Sequence, residues 1–110
     1  MWGVRFEVIV WVVMAHSTDI HAFNQDLSKW NVSQATDTSW MFYGCQAFNS
    51  DLSKWDVSRV KSTSYMFNGA RAFNSDLSTW DTSKITEMNW MFRDAQAFNQ
   101  VVICVVKNNM

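Results

Sequence analysis

The chain has 110 residues, a formal net charge of −1, 48% hydrophobic residues and no proline. That length makes one domain, and basic residues scattered among acids leave no positive stripe of the kind that holds nucleic acid. An aromatic share of 15% gives the chain enough to bury, which excludes a disordered ground state.

Residues 1–21 form an N-terminal segment whose apolar run, Val8 to Ala15, falls far short of the ~20 residues that cross a bilayer, so no membrane span is expected. Two readings stay open for it. With Arg5 ahead and Ala15 behind it resembles a marginal secretory signal, which Glu7 spoils. Alternatively it is a β-branched strand that caps the first repeat. His16 and His21 follow, beside Asp19, in no pattern that binds metal or serves a nucleophile.

Residues 22–100 hold three full tandem repeats and the start of a fourth. Phe23-Asn24-Gln25-Asp26-Leu27-Ser28-Lys29-Trp30 returns as Phe48 to Trp55 and as Phe73 to Trp80, twenty-five residues apart each time. A fixed period of that size predicts an α/β repeat solenoid, because one copy is too short to bury an apolar face alone and must stack on its neighbours. Function then belongs to a surface. Phe23 to Leu27 follows a two-residue period that predicts a short half-buried strand. A corner is expected near Ser28-Lys29, and Asx-turn chemistry at Asp56-Val57-Ser58 and Asp81-Thr82-Ser83 marks a second.

Thr38, Met41, Phe42 and Cys45 then fall at helical spacing, as do Thr63, Met66, Phe67 and Ala70, and Met88, Met91, Phe92 and Ala95. The spacing predicts one short helix per copy, with Gly44 and Gly69 at the left-handed position that ends it. Trp30, Trp55 and Trp80, with Trp40, Tyr65 and Trp90, are expected in the core by their apolar register; a carbohydrate-stacking strip is the alternative. Cys45 reads as a small buried residue.

Stacking places Asn24, Asn49, Asn74 and Asn99 in one column, predicting an amide ladder, and Asp26, Asp51 and Asp76 in another, with Ser28, Ser53 and Ser78 near enough to donate to them. A metal ladder on those carboxylates is disfavoured, since no second carboxylate accompanies the first, and no cofactor is expected. Asn31-Val32-Ser33 matches the acceptor sequence for asparagine-linked sugar, which a eukaryotic secretory host would use. Repetition argues against an enzyme: a catalytic site is singular, whereas these Ser and Asp residues recur in every copy.

Columns that differ between copies are free of stacking constraints and should face solvent. Among them Arg59, Lys84, Arg71, Tyr43 and Arg93 are the binding-face candidates, given the enrichment of Tyr and Arg at interfaces. Residues 101–110 break the pattern with Val101-Val102-Ile103-Cys104-Val105-Val106 and form an atypical apolar tail.

The phrase A-F-N-x-D-L-S-x-W-D-V-S followed by x-M-F-x-x-A, running over residues 22–100, closely resembles the 25-residue repeat of the BspA-like, Mycoplasma-type surface lipoproteins. The resemblance implies a variant of the leucine-rich repeat, secreted or at the cell surface, acting as an interaction or adhesion module that binds a protein or glycan on another surface. No lipobox cysteine stands near the start, so the lipid anchor does not carry over. The alternative is a self-associating structural element, its apolar ends stacking chain on chain, or a fragment of a longer array.

Overall fold

The computed structural model describes residues 20–100. The N-terminal cap or signal segment up to residue 19, with His16, and the tail over 101–110, with Cys104, lie outside the described residues.

Successive copies lie against one another in register. The Phe23, Phe48, Phe73 and Phe98 rings follow each other with centroids 5.9 Å apart at each step. A second column, Phe42, Phe67 and Phe92, rises 5.7 Å per step. The two columns interleave, with Phe42 on Phe48 at 4.1 Å and Phe67 on Phe73 at 4.0 Å. Leu27, Leu52 and Leu77, Val32 and Val57, and Met41, Met66 and Met91 close the core around them, all buried. Burying one such side chain is worth roughly 1.5–3 kcal/mol, so the apolar columns supply the main driving force.

The polar backbone is satisfied by a repeating device, and it is not a helix. Among the described residues the only helical element is a single 3-10 turn, Ile20–Ala22, so the short helices predicted over 38–45, 63–70 and 88–95 are absent. In their place, alternate residues make two kinds of bond. The N–H groups of Met41, Tyr43 and Cys45 donate to carbonyls three residues back, whereas those of Thr38, Trp40, Phe42 and Gly44 cross to the next copy, at Ser62, Ser64, Met66 and Asn68. The second copy repeats this from Thr63, Tyr65, Phe67 and Gly69 to the third. Trp40 (φ 67°), Tyr65 (φ 60°) and Trp90 (φ 58°) break the right-handed path within each turn, and a right-handed helix cannot pass through that conformation. The burial read from the periodicity survives, because Thr38, Met41, Phe42 and Cys45 all point inward.

The predicted strands are likewise not formed. Phe23 and Leu27 are buried and Asn24 and Asp26 exposed, as the two-residue period requires, but no backbone ladder joins these segments. Asparagine side chains replace it: Asn24 Oδ1 accepts the Asn49 N–H at 2.8 Å, Asn49 Oδ1 the Asn74 N–H at 2.7 Å and Asn74 Oδ1 the Asn99 N–H at 2.8 Å. Elsewhere in the copies, isolated parallel bridges join Asp37 with Ser62 and Ser62 with Glu87. Gly44 (φ 72°) and Gly69 (φ 76°) occupy left-handed positions that bulkier residues adopt only with strain. Among the described residues every buried side-chain nitrogen and oxygen has a partner.

Candidate functional site

One column departs from the rest. Trp40, Tyr65 and Trp90, expected in the core, turn outward: Trp40 is 50% exposed, Trp90 53%, and Tyr65 is half-buried. This corrects the core assignment, and the cause is local. Each residue sits at positive φ, which swings its side chain away from the inward side that Thr38, Met41 and Phe42 occupy. The other tryptophans show the contrast: Trp55 and Trp80 are buried, and their indole N–H groups donate to Leu27 O and Leu52 O at 2.9 Å. Trp30 is partly buried against the core.

The outward rings form a strip. Trp40 and Tyr65 stack face to face, centroids 4.0 Å apart and 9° from parallel. Tyr43, also exposed, leans on both, 4.9 Å from Trp40 and 6.5 Å from Tyr65. Arg93 lays its guanidinium 4.7 Å over the Trp90 ring, a contact worth about 0.5–1 kcal/mol at an exposed site. Asn68 Nδ2 donates to Trp90 O at 3.2 Å, fixing the backbone there. Aromatic residues at left-handed backbone, half in water, are costly in conformation and gain only part of their burial. Such outliers gather at places where a side chain is needed for something other than packing.

Of the five binding-face candidates, all exposed, two lie against the outward rings, Tyr43 beside Trp40 in the first copy and Arg93 over Trp90 in the third. Arg59 is tied to the preceding copy, donating from Nη1 to Gln34 Oε1 at 2.8 Å. Lys84 stands near Asp81 and adds a small pull to that carboxylate. The Arg71 carbonyl accepts the Ala97 N–H at 3.1 Å, and no contact links its side chain to the strip among the described residues. The helical stripe of buried positions omits residues 40 and 43, and that omission was the signal for the strip.

The acidic columns are structural. Asp26, Asp51 and Asp76 accept the N–H of Ser28, Ser53 and Ser78 at 2.8–2.9 Å, and these serine bonds hold each carboxyl below its ordinary value of 3.8 against a partial loss of solvent, to which a stacked carboxylate adds a little for Asp51 and Asp76. Asp56 and Asp81 are lowered in the same way by Ser58 and Ser83. Among the described residues no group of three His, Cys, Asp or Glu side chains is placed to hold a metal, and no helix is long and apolar enough to cross a membrane. Cys45 lies in the core, its thiol pushed up to about 11 by burial.

The family described as "Mycoplasma protein of unknown function, DUF285" matches residues 13–108. The chain belongs to this family. It is the BspA-like repeat family whose 25-residue phrase the three copies carry. No curated protein and no solved structure matches the chain. For a DUF285 chain the aromatic strip is the feature that stacking alone does not account for, since the phenylalanine and leucine columns already fill the core.

Proposed function

We propose that this DUF285 chain is a non-catalytic interaction module, a leucine-rich-repeat-like solenoid acting outside the cell or on its surface, and that it meets a protein partner through the strip of Trp40, Tyr43, Tyr65, Trp90 and Arg93. The observation that carries the reading is the exposure of large aromatics at strained backbone positions, the residue types that dominate binding energy at interfaces. A protein partner is favoured over a glycan by ring geometry. Sugars pack their C–H faces on open ring faces, but the facing sides of Trp40 and Tyr65 cover each other and Arg93 covers one side of Trp90. Beside its partly covered rings the strip carries the Tyr43 and Tyr65 hydroxyls and the Arg93 cation, a mix suited to the apolar and polar surface of a protein.

The test is binding of the labelled chain to panels of immobilised extracellular proteins and of glycans. The double variant Trp40→Ser/Arg93→Glu should lose at least tenfold in affinity for any protein bound, while Arg59→Glu/Lys84→Glu binds as the parent does. The reverse pattern, or binding to glycans alone, would overturn the reading.

A second reading is self-association through the outer side of the third copy. There Phe92 and Phe98 are only partly buried, whereas Phe42, Phe48, Phe67 and Phe73 are fully so. It predicts a mass in light scattering that grows with concentration.

A further inference from the structure

We infer that Asn31 is a modification site, an acceptor for asparagine-linked glycosylation by transfer from a lipid-pyrophosphate-linked oligosaccharide. Asn31 is exposed at a corner of the first copy, between the half-buried Trp30 and the buried Val32. Its Oδ1 accepts both the Ser33 N–H at 3.0 Å and the Ser33 hydroxyl at 2.6 Å. The acceptor sequence is therefore folded into an Asx turn in which the hydroxyl two residues on already touches the amide that would react. Both bonds fall on the oxygen, so the turn occupies Oδ1, and Nδ2 has no acceptor among the described residues.

The other copies show that the nitrogen has no structural duty. At the same place they carry Asp56 and Asp81; Asp56 takes the Ser58 N–H at 3.0 Å and the Ser58 hydroxyl at 2.6 Å, and Asp81 takes the Ser83 N–H at 3.0 Å. The fold asks only for an oxygen acceptor here, so Asn31 is the one copy in which the turn also presents a nitrogen. In the transfer, Nδ2 attacks the anomeric carbon of the first sugar, the N–C bond forms as the C–O bond to pyrophosphate breaks, the lipid pyrophosphate leaves, and an amide proton passes to a base of the transferase. Among the described residues the side-chain bonds of Asn31 go to Ser33, and none joins it to Trp40, Tyr65 or Trp90. A glycan at this corner therefore leaves the proposed contact face open.

The folded full chain is incubated with a purified single-subunit oligosaccharyltransferase and lipid-pyrophosphate-linked chitobiose, and intact mass is read. The expected result is one added glycan per chain, absent from Asn31→Asp and from Ser33→Ala, with peptide mapping placing it on Asn31. Asn31→Asp should melt with the parent, because it reproduces the turns of the second and third copies. Three results would overturn the assignment: no addition to the folded chain, addition only after denaturation, or addition that persists in Asn31→Asp.

Discussion

Gly69 offers the cleanest quantitative test of the turn geometry. Its φ of 76° is left-handed, and a Cβ built there would stand 3.5 Å from Gly44 Cα and 3.6 Å from Gly44 N, ordinary contact distances. Gly69→Ala therefore adds no steric clash, and its cost is the left-handed penalty alone, about 1–2 kcal/mol. For a domain of this size that lowers the melting temperature by roughly 4–8 °C per kcal/mol. The third copy provides the inverse experiment. Asp94 holds the same place at φ 59°, so Asp94→Gly should raise the melting temperature, by somewhat less because Asp tolerates this region better than Ala. The assay is thermal unfolding followed by near-ultraviolet circular dichroism, with both variants beside the parent. A loss above about 3 kcal/mol for Gly69→Ala would mean that the copies pack too closely for a methyl group. No loss, or a destabilised Asp94→Gly, would refute the left-handed turn itself.

Three further outcomes follow from the same bonds. Asn49→Ala removes the acceptor of the Asn74 N–H and should cost about 1 kcal/mol, while Asn49→Asp keeps an oxygen there and stays near the parent; chemical denaturation distinguishes them. Asp26, Asp51, Asp56, Asp76 and Asp81 are all held below 3.8 in the folded chain by serine donors. Their stabilisation is thus fully present above the unfolded carboxylate value and lost as pH falls through the lower folded values. The melting temperature should be flat from pH 7 to about 5 and drop below about 4, and the fivefold Asp→Asn variant should drop less. Cys45, buried with its thiol raised to about 11, should resist a disulfide reagent at pH 8 in the native chain and react on unfolding, as buried thiols do.

Much of this arrangement was legible in the sequence because stacking repeats one residue per column. The period of 25 put Asn24 on Asn49 and Phe23 on Phe48, and the structure places a bond and a ring contact at those pairs. Asp56 with Ser58 and Asp81 with Ser83 were readable as turns from their types alone. The conformation of residues 38–45 was not, since helical spacing reports which residues face inward and is silent on how the backbone gets them there. Thr38, Met41, Phe42 and Cys45 are buried as a helix would bury them, yet the backbone spends half its N–H groups on the next copy, which no single-copy pattern can reveal. Trp40 was misassigned for a related reason: an aromatic beside Met41 and Phe42 reads as core, and nothing in residue type announces a left-handed tryptophan. The partner's identity has no trace in the sequence, because the strip offers shape and mixed polarity and no chemistry peculiar to one ligand.

The central claim is that the chain turns Trp40 and Trp90 to solvent while keeping Trp55 and Trp80 inside. Brief hydroxyl-radical footprinting of the native chain, read by peptide mass, addresses it without a partner in hand. Rapid oxidation of Trp40 and Trp90 with Trp55 and Trp80 protected until unfolding is the expected result; protection of Trp40 and Trp90 equal to that of Trp55 and Trp80 would contradict the account and return the strip to the core.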